Sequence, residues 1–214
     1  MNALTTTTRR PMGTLLATAS LIAGPALIGL ALATLPPIWN GDRPDYQVID
    51  AEHGLAMLSF NLAALAFPFL FGSAVVPAWA ARRTPRLAAT GLACAFLGLT
   101  AMYGNAMLSV PVMLMNGLPE HAGLDQLAGR LDSPPLYPLL LFPLFIVGSL
   151  LQALSLWRSR AVPGWAAAAV GLGGLFPAAM LLDVPALAVP IAALRIAGSI
   201  PVISTILTTR KESL

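Results

Sequence analysis

The charges of this chain leave six long gaps, and those gaps decide what it can fold into. Between Arg10 and Asp42 lie 31 uncharged residues, between Glu52 and Arg82 lie 29, and between Arg86 and Glu120 lie 33. A further 25 separate Asp132 from Arg158, and 22 separate Arg160 from Asp183. The last stretch, 184–209, holds one charge, Arg195. A helix crossing the hydrocarbon core needs about 20 apolar residues at 1.5 Å rise per residue, so all six stretches are long enough. Only helices and closed barrels satisfy their own backbone in lipid, and these continuous Leu/Ala-rich runs lack the alternation of barrel strands. The expected fold is therefore all-α, a bundle of six transmembrane helices near 14–36, 55–80, 87–111, 136–157, 163–182 and 185–207. It forms one integral membrane domain over 1–214, with an N-terminal segment 1–13, an outer loop 116–135 and a tail 208–214.

Composition agrees. The chain is 57% hydrophobic and 10% charged, where soluble domains are roughly 25% charged. Such hydrophobicity excludes disorder. The 18 glycines and 19 prolines show no three-residue period, which excludes a collagen-like chain. A lone cysteine, Cys94, excludes a disulfide scaffold and sits in an apolar span where an inert thiol is expected.

Basic residues set the orientation. With connections alternating from the N-terminus, one side receives Arg9, Arg10, Arg82, Arg83, Arg86, Arg158, Arg160, Arg210 and Lys211, and the other only Arg43 and Arg130. Positive charge stays cytoplasmic during insertion, so both termini are expected in the cytoplasm of a bacterial cell, under its cytoplasmic (inner) membrane. Every acid except Glu212 falls outside. Trp39, Tyr46 and Tyr137 near the outer boundary and Trp79 and Trp157 near the inner one suit aromatic belts. The basic residues are spread over four segments with no aromatic-interleaved patch, so no nucleic-acid partner is expected. The expected partner is the lipid bilayer, with a homo-oligomer or a membrane partner left open. Ala31-Leu32-Ala33 resembles a signal-peptide cleavage site, but the apolar stretch is long for one, and an uncleaved first helix is the expectation.

A repeat organises the middle of the chain. Phe67-Pro68-Phe69-Leu70-Phe71-Gly72-Ser73 in helix 2 matches Phe142-Pro143-Leu144-Phe145-Ile146-Val147-Gly148-Ser149 in helix 4. Trp79 and Pro85 follow the first, and Trp157 and Pro163 follow the second, so helices 2–3 and 4–5 look like a duplicated hairpin. Pro85 and Pro163 fall at helix starts, where a missing N–H is harmless. Pro68 and Pro143 are interior and free a carbonyl. Paired kinks either border a cavity, as in transporters, or match the shapes of neighbouring helices. Gly91, Gly98 and Gly104, with Gly171, Gly173, Gly174, Ala192, Ala193, Ala197 and Gly198, suit close helix packing. In the outer loop, Leu124, Leu127, Ala128 and Leu131 share one face of a short amphipathic helix.

Few residues are able to carry chemistry. Arg195 falls near the middle of the last span, where a charge costs about 2.5–3.5 kcal/mol on insertion scales. It needs an interior partner; Asn61, Asn105, Gln152 and His53 are the candidate polar residues for a ligand site around it. The functional reading is an anion or headgroup site; the plainer one is a structural arginine bonded to carbonyls. Asp50, Glu52 and Asp183 are candidate acids at the outer interface, able to do acid/base work with His53 if helices 2 and 6 are adjacent; they equally suit a helix N-terminus. Met102, Met107, Met113 and Met115 share no helix face, so no soft metal site is expected. No phosphate loop, zinc-protease motif or nucleophile elbow is present, and no cofactor or metal is expected.

The segment Trp157-Arg158-Ser159-Arg160-Ala161-Val162-Pro163-Gly164-Trp165-Ala166-Ala167 resembles one recurring in small six-helix membrane proteins of high-GC bacteria. That resemblance implies a multi-pass bundle and carries no activity. In size and helicity the chain is also similar to small integral-membrane terpene cyclases, whose acids reach into an apolar pocket; here no acid lies inside a helix. Two functions follow as expectations. The first is a non-catalytic ligand-binding or transport-related protein, with a polar pocket opening outward around Arg195 for a lipophilic or anionic small molecule. The alternative is an intramembrane enzyme acting on a lipid- or isoprenoid-like substrate with the outer carboxylates.

Overall fold

The computed structural model describes residues 11–37, 39–40, 43–81, 83–114, 136–181, 184 and 187–211. Asp183, the amphipathic helix expected in 116–135 and most of the two terminal segments lie outside the described residues. Helix α1 runs Pro11–Thr34, α2 Tyr46–Ala51, α3 His53–Ala80, α4 Pro85–Leu114, α5 Leu136–Arg158, α6 Gly164–Leu172, α7 Phe176–Leu181 and α8 Ala188–Lys211. A two-residue ribbon, Trp39–Asn40 against Arg43–Pro44, joins α1 to α2. The spans fall within a few residues of those read from the charge gaps. Helix α1 starts inside the segment assigned to 1–13, and α8 continues through residues assigned to the tail.

The number of unbroken spans differs from the expected six. Among the described residues, five helices are long and apolar enough to cross a membrane, within α1, α3, α4, α5 and α8. The fifth segment, 163–182, is broken: a 3-10 turn, Gly173–Leu175, separates α6 from α7. A 3-10 turn inside a helix marks a hinge or a local constraint; here Arg195 packs directly against the turn at Gly173.

The helices close a ring in chain order, α1 against α3, α3 against α4, α4 against α5, α5 against α6, α6 against α8, and α8 back against α1. Successive spans of the ring run antiparallel, as Gly91 beside Gln152 and Gly98 beside Phe145 show for α4 and α5. One end therefore gathers Arg83, Arg86, Arg158 and Arg160, with Trp79, Trp157 and Trp165 exposed beside them. The opposite end carries Asp45, Asp50 and Glu52 around α2, which Asp45 caps by accepting from the N–H groups of Gln47 and Val48. Ile49 of α2 is buried against Ala56 and its neighbours, so α2 packs on that end beside α1 and α3. Large apolar side chains on the outer faces of the long helices, such as Leu30, Leu65, Phe96, Leu150 and Ile200, are exposed. A belt of that size around a bundle is a lipid-facing surface.

Backbones approach most closely between α4 and α5. A Cβ on Gly98 would meet the backbone of Phe145, and one on Gly148 that of Ala95. Such contacts replace the hydrophobic drive that lipid removes. Polar side chains add cross-links: Ser59 Oγ donates to the Ala31 carbonyl at 2.7 Å, and Thr84 and Ser155 hydroxyls meet at 2.7 Å.

The paired prolines do not border the interior. Pro68 and Pro143 are both exposed, while Pro25 and Pro77 are fully buried. Pro77 lacks an N–H and opens the turn before it. Gln152 of α5 donates into that turn, Nε2 to the Ala74 carbonyl at 2.7 Å. The two repeat copies bury equivalent positions, Leu70 and Phe145, but α4 is continuous where its counterpart, α6 to α7, is broken.

Candidate functional site

Arg195 heads the largest fully buried side chains of the bundle and is 2% exposed. It lies seven residues into α8, roughly 10 Å from the helix start. That places it near the middle of the span Ala188–Thr208, a few residues toward the acidic end. Its side chain leaves α8 between α5 and the broken segment. The local sequence makes room for it: a Cβ on Gly173 would overlap the stem of Arg195, and one on Gly174 would overlap Ser149. The Gly171-Leu172-Gly173-Gly174 run therefore lets α8 and α5 approach the break. The turn also changes the hydrogen-bond ladder, and carbonyls at such a point turn to outside donors.

Arg195 Nη1 donates to one of them, the Val170 carbonyl, at 3.3 Å. The same nitrogen reaches Ser149 Oγ at 3.5 Å. The guanidinium carbon lies 5.6 Å from the centre of the Phe145 ring, within cation–π range. Phe176 meets Phe145 edge-on at 5.1 Å. Both Phe145 and Phe176 are buried, so the cation sits against a dry aromatic wall. A guanidinium carries five N–H donors, and only Nη1 is engaged, by two long bonds. Nε and Nη2 donate to no described residue, and among the described residues no carboxylate pairs with the charge. An enclosed unpaired charge costs several kcal/mol.

Gln152, Asn61 and His53, three of the polar residues expected around Arg195, do not bond to it. Gln152 comes nearest in sequence, one turn along α5 from Ser149; it is 1% exposed, and its Oε1 is enclosed without a hydrogen-bond partner among the described residues. Asn61 is exposed on the outer face of α3 and so points away. His53 opens α3, half-buried, with Nδ1 enclosed and unpartnered among the described residues. Asn105 lies in α4, its side chain outside the described residues. Asp50 and Glu52 are exposed at the acidic end; Glu52 precedes α3 without a side-chain cap bond. Cys94 is half-buried in α4, less enclosed than expected. Among the described residues no three His, Cys, Asp or Glu side chains gather into a metal site.

The residues that do form the site, Ser149, Phe145, Val170, Gly173 and Gly174, were not singled out as partners of Arg195. Their signals were present, in the glycine run of the fifth segment and in the Phe-Pro-x-Phe repeat of the fourth. Neither identifies a partner helix without the ring order. No protein-family model, curated protein or solved structure matches the chain.

Proposed function

We propose that this is a six-crossing protein of the bacterial cytoplasmic membrane that binds an anionic group at Arg195, reached from the outer side, in a ligand-binding or transport-related role. The observation that carries the reading is an enclosed guanidinium with two of its three nitrogens unengaged and no carboxylate paired to it among the described residues. Charges inside a span face the bundle and mark ligand or ion paths. A carboxylate or phosphate offers the bidentate geometry that a guanidinium prefers. The acidic end is the nearer one to Arg195, which favours entry there. The basic end, with its exposed tryptophans, fits the cytoplasmic face, and both termini then lie inside. The broken segment has pieces of 9, 3 and 6 residues, together roughly 28 Å long, which suffices for a sixth crossing.

A second reading rests on the Val170 bond. It makes Arg195 a clamp that fastens α8 to α5 and α6, without a ligand. Among the described residues the enzyme reading has no observation in its favour, because it needs a carboxylate in an apolar wall, and Asp50 and Glu52 are exposed.

Thermal unfolding of the full chain in nanodiscs separates these readings. Inorganic phosphate and hexanoate serve as probes. A ligand at 100 times its Kd stabilises by about 2.7 kcal/mol, which corresponds to roughly 5–10 °C for a chain of this size. The wild type should show a saturable rise with at least one probe, and Arg195→Gln should show none. If neither anion moves the wild type, or if Arg195→Gln responds equally, the anion site is rejected. The clamp predicts that silence, together with an Arg195→Leu protein at least as stable as the wild type, since well-packed apolar replacements of buried charges are often neutral or stabilising.

A further inference from the structure

Asn61 lies where a polar side chain has no reason to be in a solitary bundle. Ser59 is bonded to the Ala31 carbonyl, which sets the depth of α3 against α1. Asn61 is two residues further into α3, and Ala31 is three residues from the end of α1, so Asn61 lies roughly 8 Å below that end. Its side chain is exposed, and its amide has no hydrogen-bond partner among the described residues. In a bilayer that exposure is to acyl chains, which offer nothing to an amide. Its surroundings on α3 form a stripe. Gly54, Leu58, Asn61, Leu65 and Pro68 are all exposed and follow one another at intervals of four, three, four and three. The opposite face of α3, with Ala56, Ser59, Ala66, Phe67 and Leu70, is buried in the ring. Alternating four and three is the seam spacing of two helices packed at a small left-handed crossing angle, and a single asparagine in such a seam fixes register and partner number.

We propose that α3 pairs with α3 of a second copy of this chain, across a two-fold axis along the membrane normal, with Asn61 hydrogen-bonded to its counterpart. A carboxamide is complementary to itself, one donor and one acceptor from each copy. All copies share one orientation in the membrane, so the same stripe meets itself at the same depth. The pairing does not depend on the anion reading of Arg195.

The test uses the full chain in liposomes with Cys94→Ala as background. Leu58→Cys is on the stripe, is 47% exposed and retains Asn61; Leu150→Cys on α5 is equally exposed and lies off it. On oxidation, Leu58→Cys should give a disulfide-linked dimer and Leu150→Cys should remain monomeric. Energy transfer between labelled copies should show Asn61→Leu weakening the dimer by roughly 3- to 30-fold, the range expected of one or two interhelical hydrogen bonds in lipid, while Asn61→Gln retains most of the affinity. The proposal fails if Leu58→Cys does not cross-link, if Leu150→Cys cross-links equally, or if Asn61→Leu dimerises like the wild type.

Discussion

Gly173→Ala tests whether the break in the fifth segment is imposed by Arg195. The backbone at Gly173, φ −63° and ψ −12°, is open to alanine, so the substitution carries no conformational strain. The obstacle is spatial. A Cβ there would lie 2.7 Å from Arg195 Cα, 2.9 Å from its Cγ and closer still to its Cβ. Ordinary carbon contacts are about 3.5–4.0 Å. Because one of the atoms is backbone, α8 must retreat by about 1 Å and cannot escape by rotating a side chain. The Nη1 bond to Val170, already 3.3 Å, then passes the limit of a useful hydrogen bond. Overpacking of this kind costs about 1–3 kcal/mol, against up to about 1 kcal/mol gained from replacing glycine in a helix. Gly104→Ala supplies the reference, since a Cβ at Gly104 meets nothing within 4 Å. The difference between the two variants isolates the steric cost and amounts to roughly 2–12 °C in Tm. The assay is thermal unfolding of both proteins in the same nanodiscs. A Gly173→Ala protein as stable as Gly104→Ala would refute the argument that Arg195 occupies the space at the break.

Two further perturbations probe the scaffold around the site. Gly98→Ala places a methyl on the backbone of Phe145; it should destabilise by about 1–3 kcal/mol and lower anion affinity by moving the aromatic wall, read from denaturation midpoints and from the same phosphate and hexanoate titrations. Gln152→Leu removes one hydrogen bond to the Ala74 carbonyl and one enclosed oxygen that has no partner among the described residues. These effects oppose each other, so its stability should stay within about 1 kcal/mol of wild type, and a loss several times larger would show that Oε1 has a partner essential to the fold.

The spans were legible because a charge in hydrocarbon is expensive enough to mark each boundary: the gaps in the sequence reproduce α1, α3, α4, α5 and α8 to within a few residues. The break at Gly173 was not legible. Glycine in a Leu/Ala-rich span reads as close packing, and only the ring order shows that the neighbour being accommodated is an arginine seven residues into another helix. Arg195 itself was conspicuous as the one charge that topology does not use. Its partners were not, since a hydroxyl, a carbonyl and a phenyl ring carry no distinctive pattern. The direction of Asn61 was also hidden. Helix α3 is apolar on every side, so its sequence does not distinguish the face that meets lipid from the face that meets the ring. The same ambiguity hid that Pro68 and Pro143 are exposed while Pro25 and Pro77 are buried.

The claim at the centre of this account is that Arg195 keeps donors free for an anion. Nitrogen-15 NMR of arginine-labelled protein in nanodiscs observes those donors directly, with the Arg195 signals assigned by their loss in Arg195→Lys and the exposed arginines Arg83, Arg86, Arg158 and Arg160 as internal references. Titration with phosphate or hexanoate should shift the Arg195 Nε signal saturably while the references move only slightly and linearly. An Arg195 signal that is indifferent to both anions, or that drifts with the exposed arginines, would contradict the account and leave the guanidinium as a clamp between helices.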